Sequence, residues 1–520
     1  MIKNGTSQIS GKQDSLFELV KSMSKAEKRS FKLYATRLSG NQEAKFVILF
    51  DCLDGLDEYD EARILQRTPV TKAQLPNMKA HLYRQILVSI RLLEVQHTVP
   101  AQLREQLEFA RILYDKGLYR QGLKIIEKAK ETAIANEEHA LAIEIIGLQT
   151  KLEGTNMPQE AEGTVLSKEI AVLCSRINNI SKISSVVMQL YSLYLKLGYA
   201  RTQKDLDMII RFFKPKLERY HDAELSFLEK FYFYQARAWY SYIRHDILGS
   251  YKYALRWIDL LNSEPGIKRT MYDSYLRGYS RLLDGLYLMR RYRLFVQRLD
   301  AFEDEFDTIG SINDNARVIS LQIIYTHRLN KYFYEGAFSE GLWLVKEVEH
   351  FIGKYPTQID IHNRMLLYYK IACLYFGSGD YRKCMTYLGR IINTRDPQIR
   401  RDLQCYARIL NLISSYEAGV DYNIDYQVRS VYGFLVKMND MQEVQKEMMA
   451  FLKRLNSIYA KDLKDELKKL YLKLKPLEQH PYERRSFYYL DIMSWLESKL
   501  QGVTVAEVIR NNFLAETATK

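Results

Sequence analysis

The chain has 520 residues, 47% of them hydrophobic and 27% charged, a balance that supports a large buried core and excludes a chain disordered throughout. Ten prolines and 24 glycines are too few for an all-β protein, which turns about every 8–12 residues. Lysine and arginine exceed aspartate and glutamate by 76 − 63 = 13, with a pI near 9.1. That excess suits acidic partners such as nucleic acid or an anionic membrane surface, or equally the solvated faces of a long helical protein.

Nearly every window carries the i, i+3, i+4, i+7 spacing of amphipathic helices, and strand-type alternation is nearly absent. The expected class is all-α. Residues 1–13 are expected to be disordered. Lys3, Lys12, Asp14 and Glu18 break any apolar run of signal-peptide length. No stretch approaches the roughly 18 apolar residues of a membrane span, so the expectation is a soluble, cytoplasmic protein without membrane insertion. The five cysteines are odd in number and form no C-x-x-C pair, which argues against a disulfide framework.

Residues 14–97 read as an N-terminal helical bundle. Ser24-Lys25-Ala26-Glu27 is a capping box, in which the hydroxyl and the carboxylate each bond the other residue's backbone amide. A helix over 24–38 is followed by a short one near 58–66, a turn at 68–71 and a longer helix from about Pro76. Short helix, turn and longer basic helix form a helix-turn-helix outline, in which Lys79 and Arg84 are possible nucleic-acid contacts. The other reading of this bundle is a cap, because repeat arrays need atypical ends.

Residues 101–440 carry an internal repeat. A helix, a short turn with a small or polar residue near an aromatic, and a second helix recur at Gly117-Leu118-Tyr119, Gly249-Ser250-Tyr251, Arg290-Arg291-Tyr292, Gly336-Ala337-Phe338, Gly379-Asp380-Tyr381 and, more loosely, Gly419. Three residues after most of these aromatics stands a small residue: Gly122, Ala254, Gly341 or Cys384. The turn residue reverses the chain, the aromatic fills the corner and the small residue lets two helices approach. From Gly249 the spacings are 41, 46, 43 and 40 residues.

The prolines, Pro100, Pro158, Pro215, Pro265, Pro356, Pro397, Pro476 and Pro481, are expected between helices, where a missing N–H is tolerated. Residues 441–520 read as a C-terminal helical cap. Its helices are expected over 441–459, 460–474, 482–500 and 505–515, with Gly502 ending one and a Thr504–Glu507 capping box starting the next.

The repeat resembles tetratricopeptide (TPR) repeats, most clearly at Leu374 to Cys384, with Leu388 and Ile391 at the later packing positions. Its spacing is longer than the family's roughly 34 residues. The opening segment, from Leu16 to Tyr34, is similar to the start of bacterial TPR-containing proteins. The resemblance implies a right-handed superhelix of stacked helical hairpins, a TPR-like solenoid with a helical N-terminal cap. In such a fold the first helix of each pair lines a concave face. Carried over position by position, that lining includes Trp239, Arg277, Asp284, Tyr287, Asn330, Tyr334 and Tyr369.

Linear motifs of chemistry are absent. There is no P-loop, no H-E-x-x-H and no G-x-S-x-G, and no His lies in a tight cluster with Cys. The expectation is a non-catalytic protein- or peptide-binding scaffold that needs no cofactor and no metal. The alternative is a peptide-responsive transcriptional regulator with an N-terminal nucleic-acid-binding module. In that case nucleic acid is a second partner.

Overall fold

The structure is a computed structural model that describes residues 14–37, 41–94, 98–154, 160–200, 202–306, 313–394, 399–420, 424–437, 442–455, 458–459, 461–480, 482–483, 486–489 and 491–518. Expectations for residues 1–13, Pro158, Pro397 and Pro481 lie outside these. Among the described residues the regular structure is all helical, with no strand, and no helix is long and apolar enough to cross a membrane. The chain divides into two compact units, residues 1–177 and 178–520. The division falls within the long helix Glu160–Leu197.

The first unit begins with α1 (Ser15–Ser22), α2 (Lys25–Arg37), α3 (Asn41–Asp54), α4 (Glu61–Arg67) and α5 (Leu75–Glu94). Their apolar faces, including Phe31, Phe50, Leu82 and Ile86, close on one core of their own. The predicted capping box forms: Ser24 N donates to Glu27 Oε2 at 2.6 Å and Glu27 N to Ser24 Oγ at 3.2 Å. A second core lies among α6 (Val99–Asp115), α7 (Tyr119–Ala135) and α8 (His139–Gly154) and takes in Leu166 and Leu173 of α9 (Glu160–Leu197).

The second unit continues with α10 (Gln203–Glu218), α11 (Phe227–Ile243), α12 (Ile247–Ser263), α13 (Pro265–Thr270), α14 (Tyr272–Leu288), α15 (Tyr292–Asp304), α16 (Asp314–Glu335), α17 (Leu344–Lys354), α18 (Ile361–Gly377), α19 (Tyr381–Ile392) and α20 (Arg401–Glu417). Then come α21 (Ile424–Lys437), α22 (Glu443–Arg454), α23 (Leu463–Leu474), α24 (Ser486–Tyr489), α25 (Ile492–Gln501) and α26 (Val505–Ala518). Neighbours in sequence pack as antiparallel pairs: α11 on α12, α18 on α19, α20 on α21. The first helices of successive pairs also touch, α14 with α16, α16 with α18 and α18 with α20.

The turns explain the pairing. Gly379 closes α18 at φ +84°, a left-handed geometry that costs an L side chain roughly 1 kcal/mol or more. The next residue, Asp380, then caps α19 by accepting from Lys383 N at 3.1 Å. Arg290 and His245 hold equivalent turns at φ +54° and +62° without a glycine. His245, not Gly249, is therefore the turn residue before α12. Gly249 lies one turn inside that helix, its amide bonded to the cap Asp246 at 2.8 Å. The small residues Gly122, Ala254, Gly341 and Cys384 are all buried.

Two further expectations are corrected. Pro215 stands inside α10, in its last turn, where little helix remains to be broken. Pro100 and Pro265 open helices instead of separating them, because the first-turn amides have no intrahelical acceptor to lose. The helix expected over 482–500 is two pieces, α24 and α25, with Asp491 capping the second through Ser494 N at 3.0 Å.

Candidate functional site

Helix α11 shows how the second unit treats its aromatic surplus. Phe231, Phe233, Tyr234, Tyr240 and Tyr242 are buried; the Tyr234 hydroxyl donates to Asp222 at 2.6 Å and the Tyr242 hydroxyl meets that of Tyr199 at 2.5 Å, whereas the Tyr240 hydroxyl has no hydrogen-bond partner among the described residues. Trp239 of the same helix is half-buried against Tyr194 and Tyr191, with ring centroids 4.9 and 5.2 Å away. The Arg281 guanidinium lies 4.2 Å above it.

A cavity of about 850 Å³ opens beside this layer. First helices of pairs contribute Asp284 and Tyr287 on α14, Asn330 and Tyr334 on α16, and Tyr369, Lys370 and Cys373 on α18, and residues between Lys475 and Glu516 contribute much of the rest of its wall. Five residues of the predicted lining thus meet at one hollow. Trp239 and Arg277 do not border it. Arg277 is exposed on α14, and Trp239 stands behind the wall, packed on the lining residue Tyr194 and under Arg281, which pairs with Asp284 at 3.5 Å. Asn330 is 2% exposed, and its amide is engaged: Lys370 Nζ donates to Oδ1, and Nδ2 contacts His327 Nδ1 at 3.2 Å.

Burial governs the electrostatics here. His327 has no exposed surface. Desolvation, helped by the nearby Lys370 and Arg281 charges, lowers its pKa to about 4 against the opposing pull of Asp284, so the ring is neutral at pH 7. Lys370 is pushed down to about 8 by burial, with Arg400 adding repulsion and Asp284 opposing. Burial raises the Cys373 thiol to about 12, too high for a thiolate at neutral pH. The cavity therefore presents the half-buried Lys370 cation and amide groups, without an activated sulfur nucleophile. Arg400 is matched by Asp402 in two contacts of 3.1 Å, both side chains 5% exposed.

The C-terminal helix α26 forms part of the same wall through Val505, Ile509 and Glu516. The Thr504–Glu507 box starts it and Gly502, at φ +72°, ends α25 before it. Phe513 packs on Tyr292 and Tyr334 at 4.7 and 5.8 Å. Arg290 Nε donates to Glu516 Oε1 at 2.9 Å. The backbone of α26 passes so close to Gly336 that a Cβ there would stand 2.7 Å from Ala506 O and Arg510 N. Beyond the Arg290–Glu516 pair lies a second, more apolar hollow of about 660 Å³ with Leu248, Met289 and Leu294 in its wall.

In the first unit, Lys79 is committed to Asp14 and to Tyr59, whose hydroxyl it reaches at 3.1 Å. Arg84 is exposed on α5. Helices α4 and α5 follow one another across a loop, and one of the two expected basic contacts, Lys79, is turned to an internal role.

Sequence reasoning missed Lys370, Arg281, His327 and the part played by α26. Lys370 had a legible signal, since it is the one charged residue between Met365 and Gly377, on a helix otherwise apolar on several faces. Comparison with protein-family models, with curated proteins and with solved structures yields no match.

Proposed function

We propose that the chain is a non-catalytic protein- or peptide-binding scaffold, built as a right-handed TPR-like superhelix whose concave face receives a helical segment of a partner. One observation carries this reading. Asp284, Tyr287, Asn330, Tyr334 and Tyr369 border a single hollow, and the chain's own α26 lies along it through Phe513 and Glu516. Helix-in-groove recognition uses such anchors at i, i+3 and i+4. In this reading α26 is the intramolecular stand-in for the partner, and a cytoplasmic, bacterial setting fits the TPR likeness.

The test uses the full chain carrying Phe513→Ala and Glu516→Arg. Loss of a half-buried ring removes about 1–2 kcal/mol and the exposed ion pair about 0–1 kcal/mol, enough to loosen α26 roughly tenfold or more. A fluorescent peptide of residues 503–520 is expected to bind this variant at least tenfold tighter than wild type. Adding Tyr334→Ala is expected to abolish that binding. Equal binding to wild type and variant, or binding indifferent to Tyr334→Ala, refutes the groove assignment.

A further inference from the structure

The smaller hollow, of about 660 Å³, carries a one-sided charge. Three arginines border it, Arg290, Arg291 and Arg293, against one carboxylate, Glu516. Arg290 and Glu516 hold each other at 2.9 Å. Arg291 and Arg293 are exposed, and among the described residues no carboxylate stands within ion-pair distance of either. Two cations of the border are thus uncommitted. The apolar part of the wall is recessed. Leu248 is 53% exposed, whereas Tyr251, Met289 and Leu294 are half-buried and Leu286 is buried.

Local stability is forfeited to place these cations. The turns before α12 and α19 end in an aspartate that caps the helix: Asp246 accepts from Gly249 N at 2.8 Å and Asp380 from Lys383 N at 3.1 Å. Arg291 occupies the same position before α15. Its φ of −94° and ψ of 63° are close to the −86° and 72° of Asp380, yet it makes no capping bond. Arg291 and Arg293 also bring positive charge to the positive end of the α15 dipole, where it is disfavoured. Arg290 holds φ +54°, a region that an L side chain avoids. Local preference is thus broken at three of the four positions from Arg290 to Arg293. Such departures are expected where a function outweighs stability.

We propose that this hollow docks an acidic segment of a partner protein. A large apolar side chain of that segment enters beside Leu248, Met289 and Leu294, and the carboxylates flanking it pair with Arg291 and Arg293. Charge complementarity selects an acidic segment. The recess selects an inserted side chain over a bilayer, which is met by a continuous, exposed apolar face. The volume is ample for such an anchor, since it lies among those of ligand pockets, roughly 300–1,000 Å³. This is a second surface, separate from the groove proposed above. Leu248, Arg291 and Arg293 border the 660 Å³ hollow and not the 850 Å³ cavity, so either assignment can fail while the other stands.

The probe is a fluorescein-labelled, C-terminally amidated peptide in which Asp-Glu-Asp precedes and Glu-Asp-Glu follows a Leu-Phe pair, titrated with the full chain by fluorescence anisotropy. It is expected to bind at least tenfold tighter than a counterpart with Asn and Gln for the acids, and than one with Ser-Ser for Leu-Phe. Added salt is expected to weaken it. Arg291→Asp is expected to weaken binding at least tenfold and, by supplying the missing cap, to raise the urea midpoint read by tryptophan fluorescence. Should the midpoint fall instead, Arg293→Gln, a change at an exposed side chain, decides, with a loss of at least threefold expected. Leu248→Ser is expected to cost at least threefold as well. Absence of binding, indifference to the acids or to the Leu-Phe pair, an affinity unmoved by the deciding arginine variant or by Leu248→Ser, or sedimentation with phosphatidylcholine–phosphatidylserine vesicles that Leu248→Ser abolishes each overturns the proposal.

Discussion

Replacing Gly341 by alanine tests the packing of the repeat at a close helix–helix approach. A Cβ there would stand 2.9 Å from Cγ and Cδ2 of Tyr332 and 3.0 Å from Cδ1 of Leu374, against an optimal carbon–carbon separation of about 3.5–4.0 Å. Neither neighbour can yield easily. The Tyr332 hydroxyl is held by Trp343 Nε1 at 3.1 Å, and Leu374 has no exposed surface. Overpacking of this kind costs about 1–3 kcal/mol. Removing a glycine from helical backbone returns about 0.5–1 kcal/mol, so Gly341→Ala is expected to destabilise by about 1–2 kcal/mol. The matched control is Gly389→Ala in the last turn of α19, where a Cβ meets nothing within 4 Å; it is expected to stabilise by about 0.5–1 kcal/mol. All four tryptophans, Trp239, Trp257, Trp343 and Trp495, lie in residues 178–520. Fluorescence during urea unfolding therefore reads this unit alone. Midpoints that move in opposite directions agree with the reasoning. A Gly341→Ala midpoint at or above wild type refutes it.

Three other outcomes are expected. His327 binds its proton less readily folded, at about 4, than unfolded, near 6.5. The unfolded chain thus holds more protons between these values. Stability is full above about pH 6.5 and falls by about 2 kcal/mol between pH 7 and pH 5, and urea titrations of His327→Gln should lack that component. Asp402→Ala leaves the buried Arg400 guanidinium without its counter-charge and should cost about 3–5 kcal/mol, whereas Arg400→Met with Asp402→Leu should recover most of the loss, as measured by the same fluorescence midpoint. Iodoacetamide at pH 8 should modify the exposed Cys174 first. Cys373 and Cys384, whose thiols burial pushes up, should lag at least tenfold by peptide mapping, and fast labelling of Cys373 would contradict the depth assigned to it.

The helices and their turns were legible because each is set by local chemistry. Capping boxes at Ser24 and Thr504, a left-handed glycine before Asp380 and small residues at close approaches depend on residues within a few positions. The positions that went astray involve context. His245 adopts the left-handed turn expected at Gly249, and Pro215 is tolerated because its helix is nearly over. At the site, Tyr287, Asn330 and Tyr369 were found because first helices of pairs share a wall. Their roles were not. Asn330 is occupied by Lys370 and His327 instead of being free for a partner's backbone. That network joins α16 to α18, and no spacing rule within one helix reveals it. The contact of α26 with Arg290 joins residues 226 positions apart, beyond the reach of any local pattern.

That separation has a kinetic consequence. Helical hairpins join residues close in sequence and assemble early, whereas a contact spanning so many residues must wait until the intervening helices have ordered. Docking of α26 is thus a late event, and in reverse it is the element poised to detach while the rest stays folded. Backbone amides over residues 505–518 should then exchange with deuterium through a sub-global opening, at a rate separate from that of complete unfolding.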